Sequence, residues 1–192
     1  SGQDSSGSGV YGQRFDSNGN KAGSEFQVNT WTTFDQAEPS ITSLSDGGFV
    51  VVWTGAGQGD SSGVYGQRFD SNGNKVGSEF QVNTWTTDEQ EYPSITSLSN
   101  SGFVVVWQGG GQGDGFGVYG QRFDSNGNKV GSEFQVNTWT TGWQEYPSIT
   151  SLSNGGFVVV WQSGCEPYLG YPCTRAPQDG SDWGVYGRIF SQ

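Results

Sequence analysis

The chain has 192 residues, with 19 Asp and Glu against 8 Lys and Arg, for a formal net charge of −11. That balance argues against nucleic acid and anionic membrane as partners, and no apolar run approaches the ~20 residues of a membrane span. The hydrophobic fraction is only 31%, but 12 Phe, 8 Trp and 8 Tyr supply core area, and 33 Gly fit many short strands joined by tight turns.

The first predicted elements are a strand over residues 10–15, in GVYGQRF, and a second over 26–30, in EFQVNT. Strands over 39–44 (PSITSL) and 49–53 (FVVVW) follow, and from Gly63 the whole set recurs with a period of 54 residues. Gly9, Gly63 and Gly117 each open a copy, and a fourth opening, GVYGRIF, begins at Gly184 after a spacing 13 residues longer. Each copy is therefore four strands, named here a (39–44), b (49–53), c (64–69) and d (80–84). A period of this length marks one supersecondary unit that needs its neighbours to bury its faces. The repeats run 9–62, 63–116 and 117–183, with a closing strand at 184–190, all within a single repeat domain covering 1–192.

Asp46-Gly47 and Asn154-Gly155 have the composition of type I′ turns, with Asn100-Ser101 a weaker version, so a and b are predicted to form a hairpin. A two-residue loop sets Leu44 opposite Phe49, Thr42 opposite Val51 and Ile41 opposite Val52. Asn72-Gly73 tips the c–d hairpin, predicting Asp70 across from Lys75 and Phe69 across from Val76. In strand b, Phe49, Val51 and Trp53 face one way while Val50 and Val52 face the other. Both faces are apolar, so both must be covered, as in blades packed face to face. The predicted fold is all-β: tandem four-stranded antiparallel blades, β-propeller-like, with three blade equivalents. The chain opens on c and d and closes on a, b and c. These unlike ends predict head-to-tail association with further copies of the chain, as a filament or a ring.

GVYGQRFDSNGNKVGSEFQVNT followed by PSITSLSNGGFVVVWQ resembles a tandem repeat of very large secreted or surface proteins of bacteria and some protists. The resemblance covers the chain except residues 163–182. It implies propeller-like modules serving adhesion or matrix, near calcium-binding modules, in an extracellular or cell-surface setting, with no assigned catalysis. The chain departs from that pattern in its shortness and in the insertion at 163–182, which carries Cys165 and Cys173. Without a His or a second Cys pair nearby, their spacing points to a local disulfide and an oxidising compartment. The absence of any Met, the initiator included, reads as a processed or excised chain.

Candidate sites are few. Asp16, Asn18 and Asn20, with Asp70, Asn72 and Asn74 and with Asp124, Asn126 and Asn128, offer oxygen ligands at alternating positions, so calcium is a candidate although no cofactor is required. They lack the bidentate Glu of a calcium loop, and Asn-Gly turns need no metal. The Gly-Gln-Gly-Asp stretches ending at Asp60 and Asp114 read as turns. Trp31, Trp85 and Trp139, with Gln36, Gln90, Gln144, Tyr92 and Tyr146 beyond them, could form a sugar platform of aromatic faces beside amides, or pack between blades. Glu166, Asp179 and Asp182 are carboxylates unique to the insertion, and nothing sets them opposite one another. With no His, and with most polar groups in triplicate, the expectation is a non-catalytic structural or adhesion protein that self-assembles, with a multivalent carbohydrate-binding lectin as the alternative.

Overall fold

The computed structural model describes residues 7–57, 60–111, 114–164 and 183–191. The described residues form antiparallel sheets and no helix. β1 (Tyr11–Gly12) pairs with β2 (Phe26–Gln27) as a two-stranded partial blade. β3 (Gln36–Ser43), β4 (Phe49–Gly57), β5 (Asp60–Phe69) and β6 (Lys75–Gln81) form a full blade in chain order, as do β7 (Gln90–Ser97), β8 (Phe103–Gly111), β9 (Asp114–Phe123) and β10 (Lys129–Gln135). β11 (Trp143–Ser151), β12 (Phe157–Gly164) and β13 (Trp183–Phe190) make the last, three-stranded blade. The a strands β3, β7 and β11 approach one another and mark the inner edge of the stack. This is the propeller-like arrangement expected from the repeat. Cys165 and Cys173, together with Glu166, Asp179 and Asp182, lie outside the described residues.

The b strands hold the stack together as their two apolar faces require. Val51 and Trp53 pack with Val10, Val28, Tyr65 and Phe69 toward the preceding partial blade. Val50 and Val52 pack with Ile95, Phe103, Val105 and Trp107 of the following blade. One period later Val104 and Val106 face Ile149, Phe157, Val159 and Trp161. Each such side chain contributes about 1.5–3 kcal/mol on full burial. A phenylalanine trio repeats with them. Phe49 stacks on Phe69 at 4.9 Å, Phe103 on Phe123 at 4.8 Å and Phe157 on Phe190 at 4.7 Å. A tilted ring from the previous blade closes each pair: Phe26, Phe80 or Phe134 at 5.4, 5.5 and 5.6 Å.

Both hairpin registers differ from expectation by one residue. Ile41 faces Val51 and Thr42 faces Val50, while the Leu44 N–H donates to Gly48 O at 2.8 Å. Gly47 has a φ of 84°, whereas Asp46 stays out of the left-handed region that a type I′ turn needs at both central residues. The loop is therefore three residues with one glycine in the left-handed region, as in a type I turn closed by a bulge. The c–d hairpin does the same: Phe69 faces Lys75 and Arg68 faces Val76, with Gly73 at a φ of 85°. The predicted Asp70–Lys75 pair does not form. Asp70 instead accepts from the Asn72 and Asn74 N–H groups at 2.9 and 2.8 Å and from the Asn74 amide at 2.9 Å. Lys75 reaches back to the preceding blade. At the Gly-Gln-Gly-Asp stretches Gly57 pairs with Asp60 and Gly111 with Asp114; residues 58–59 and 112–113 lie outside the described residues.

Among the described residues, the first sheet has two strands and the last has three. An apolar groove of about 550 Å³, lined by Val10, Phe26, Val28, Ile41, Phe49 and Val51, lies beside the two-stranded blade. At the other end β13 leaves Val185 and Ile189 exposed.

Candidate functional site

Each a strand carries a bulge near its start, between Ala37 and Ser40, Glu91 and Ser94, and Glu145 and Ser148. The bulged residues Glu38, Tyr92 and Tyr146 have φ of 55°, 52° and 52°, and a proline follows each. Left-handed backbone at a non-glycine residue is costly and tends to persist where it aims a functional side chain. Just before the bulge a glutamine anchors the strand. Trp53 Nε1 donates to Gln36 Oε1 at 2.8 Å, Trp107 Nε1 to Gln90 Oε1 at 2.8 Å and Trp161 Nε1 to Gln144 Oε1 at 3.0 Å. The bulges thus sit on a rigid, fully hydrogen-bonded base.

On that base the three copies stop being alike. Residues 34–38 read Phe-Asp-Gln-Ala-Glu, 88–92 read Asp-Glu-Gln-Glu-Tyr, and 142–146 read Gly-Trp-Gln-Glu-Tyr. The inner strands bring these different sets together. Glu38 Oε2 accepts from the Thr54 hydroxyl at 2.8 Å and from the Tyr92 N–H of the next blade at 3.0 Å. The Tyr146 N–H donates to Gln108 Oε1 at 2.8 Å. The Tyr92 and Tyr146 rings meet edge to face at 4.8 Å. The Glu38 charge, helped by desolvation, pushes the Tyr92 hydroxyl up to about 12.

Beside them a pocket of about 410 Å³ opens between the β7 and β11 blades, lined by Asp88, Glu89, Glu91, Gln108, Phe116 and Glu145 among others. Phe116, which lines it, stacks on Trp143 at 5.0 Å with planes 23° apart. Burial, with Glu89 and then Glu38 adding to it, pushes the Glu91 carboxyl above the usual carboxylate range. A carboxyl raised above the usual range beside other carboxylates keeps its proton to higher pH, as a general acid must. Aromatic faces beside carboxylates also suit a saccharide, whose apolar ring face stacks while its hydroxyls bond.

The predicted sugar platform is split apart. Gln36, Gln90 and Gln144 are buried as tryptophan anchors and present nothing to solvent. Tyr92 and Tyr146 belong to the inner-strand cluster. Trp31, Trp85 and Trp139 lie on the turns leaving the d strands, with Trp31 and Trp139 more than a third exposed. The Asp16, Asp70 and Asp124 carboxylates are each engaged by their own turn, through Asn18 and Asn20, Asn72 and Asn74, and Asn126 and Asn128. Among the described residues no group of three or more acidic, His or Cys side chains is arranged to hold a metal ion. Glu38, Glu89, Glu91, Phe116 and Trp143 were not singled out from sequence. For all of these but Phe116, the signal was the divergence at 34–38, 88–92 and 142–146 within otherwise near-identical copies.

No protein-family model matches the chain, and no curated protein does either. Solved structures do. A protein of unknown function from Dyadobacter fermentans superposes with a TM-score of 0.56 at 11% identity, over 81% of this chain and 51% of that one. An alpha-L-arabinofuranosidase from Lactobacillus brevis gives 0.53 at 13% identity, over 91% and 65%. A GH43 endo-arabinanase from Bacillus licheniformis gives 0.51 at 13% identity, over 82% and 52%. The chain thus spans between half and two thirds of the length of these structures. The likeness is one of fold, and it places the chain among β-propellers. It also corrects the expectation of a non-catalytic adhesion protein, because the structures the chain is similar to include carbohydrate-active enzymes. Repetition does not remove the asymmetry that catalysis needs. The inner strands differ from copy to copy at 34–38, 88–92 and 142–146.

Proposed function

We propose that this chain is a carbohydrate-active propeller module that acts on a glycosidic bond in the pocket between the β7 and β11 blades. The observation that carries the reading is Glu91, a carboxyl raised by burial and by Glu89 and Glu38, lining the same pocket as Phe116, whose ring stacks on Trp143. In this reading a sugar ring lies against the stacked aromatics, and Glu91 gives its proton to the leaving-group oxygen as the glycosidic bond breaks. Glu145, which lines the same pocket from the β11 blade, is the partner carboxylate that takes the proton of the attacking water. The carbohydrate-active enzymes of the same fold support this assignment of substrate class.

The test is release of reducing ends from arabino- and xylo-oligosaccharides and from linear arabinan and xylan. Glu91→Gln keeps size and hydrogen bonding but removes the acid, and should lower the rate about 10²–10⁴-fold. Hydrolysis unaffected by Glu91→Gln, or none with any of these substrates, would overturn the proposal.

A further inference from the structure

Away from the inner strands, two clefts of the same build open between consecutive blades, and we propose that each binds a neutral oligosaccharide, giving the chain a pair of equivalent saccharide sites. The first, about 590 Å³, is lined by Trp31, Tyr65, Gln67, Lys75, Glu79 and Gln81 among others. The second, about 680 Å³, is lined by the residues 54 positions later: Trp85, Tyr119, Gln121, Lys129, Glu133 and Gln135. Both volumes lie within the range of small-molecule sites.

Each cleft is built from two blades and held in shape before any ligand arrives. Glu79 Oε2 accepts from the Thr30 N–H at 2.7 Å, fixing the turn that carries Trp31, and Glu133 Oε2 does the same for Thr84 at 2.6 Å. Lys75 Nζ donates to Thr30 Oγ1 at 2.8 Å, and Lys129 Nζ to Thr84 Oγ1 at 3.0 Å. The tryptophan is therefore clamped by the following blade, which reduces the ordering cost of binding. One lysine is matched by one glutamate, so the cleft offers donors and acceptors without the excess positive charge an anion would need.

An independent observation points to a ligand with hydroxyl donors. Gln67 is 1% exposed and Gln121 is fully buried, and each gives its Nε2 hydrogens to backbone carbonyls of its own hairpin. The Oε1 of each has no hydrogen-bond partner among the described residues, and neither has Trp85 Nε1. Buried polar atoms are seldom left in this state, and here the same acceptor is left so in both clefts. A hydroxyl entering beside the tryptophan face supplies the missing donor. In the last blade Arg188 stands where Gln67 and Gln121 stand, and its Nη1 donates to Val136 O at 2.9 Å. With Arg188 in place of that glutamine, the acceptor common to the two clefts is absent beside the Trp139 turn, and among the described residues the count is two.

The inference stands apart from hydrolysis at Glu91, and its test separates the two. The full chain carrying Glu91→Gln, so that no probe is consumed, is titrated calorimetrically with xylohexaose and with arabinohexaose. Trp31→Ala and Trp85→Ala should each remove one equivalent of bound oligosaccharide, and the double variant two. Trp31→Phe, which keeps an aromatic face, should retain its equivalent. Should Trp31→Ala disturb folding, Gln67→Leu and Gln121→Leu test the same clefts and should weaken binding about tenfold or more. An undiminished count in the double variant, or no heat with either probe, would overturn the proposal, whatever the hydrolysis assay gives.

Discussion

The glutamine–tryptophan anchor beneath each bulge should behave as a coupled pair, and Gln90 with Trp107 is the copy to test. Gln90 is fully buried; its Oε1 accepts from Trp107 Nε1 at 2.8 Å and its Nε2 donates to Gly110 O at 2.7 Å and Thr87 O at 3.3 Å. Gln90→Leu preserves the volume but leaves the indole N–H and the Gly110 carbonyl buried without partners. An unsatisfied buried group costs about 1–3 kcal/mol, so the variant should lose about 3 kcal/mol. For a chain of this size that corresponds to a fall in melting temperature of roughly 6–12 °C. Trp107→Phe removes the indole donor. In that background Gln90→Leu should cost less, with a coupling of about 1–2 kcal/mol in a double-mutant cycle read by urea unfolding. A coupling within about 0.5 kcal/mol of zero would show that the glutamine serves only its carbonyl partners and that the indole bond adds nothing.

Two further outcomes follow from the structure. The Asp16, Asp70 and Asp124 carboxyls are held low chiefly by Asn20, Asn74 and Asn128, so they stabilise the fold above the unfolded carboxylate value near ~4 and lose that effect as pH falls through their lower folded values. Glu91 is raised and works the other way: its contribution is full below the unfolded value and is lost as pH rises. Glu91→Gln should therefore raise the melting temperature at pH 7 and leave it unchanged below about pH 4, and a destabilised variant at pH 7 would refute its assignment as a desolvated acid. A Cβ at Gly102 would meet Phe123 O at 2.3 Å, so Gly102→Ala should push the β8–β9 edge apart and destabilise by about 1–3 kcal/mol in urea, against no change if that turn yields freely.

Much of the frame was legible because it rests on period and polarity. Strand b is apolar on both faces in every copy, and only stacked sheets satisfy that; the clusters around Val50, Val51, Val104 and Trp107 are the result. The hairpin registers were missed because Asp46-Gly47 and Asn72-Gly73 suit more than one turn. Composition names residues that tolerate positive φ, but whether one or two of them adopt it is settled by strand twist, and here only the glycine does. Gln36, Gln90 and Gln144 were misplaced for a related reason. A glutamine beside a turn reads as exposed until a tryptophan 17 residues later is found to need an acceptor in the core.

The site was hidden by the regularity that revealed the fold. Many polar groups that recur from copy to copy serve the frame, as the Asp70 turn and the Glu79 clamp do, because each blade has the same backbone groups to satisfy. Residues that change between copies are released from that duty. Phe34, Asp88 and Gly142 share one repeat position, as do Asp35, Glu89 and Trp143, then Ala37, Glu91 and Glu145, then Glu38, Tyr92 and Tyr146. Along the chain these read as drift. Folding converts them into one neighbourhood, because the a strands are the elements that meet at the inner edge. Three similar blades can build an asymmetric pocket only where their sequences part, and Glu91, with Glu89 beside it and the Glu38 charge of the previous blade acting on it, stands where they do.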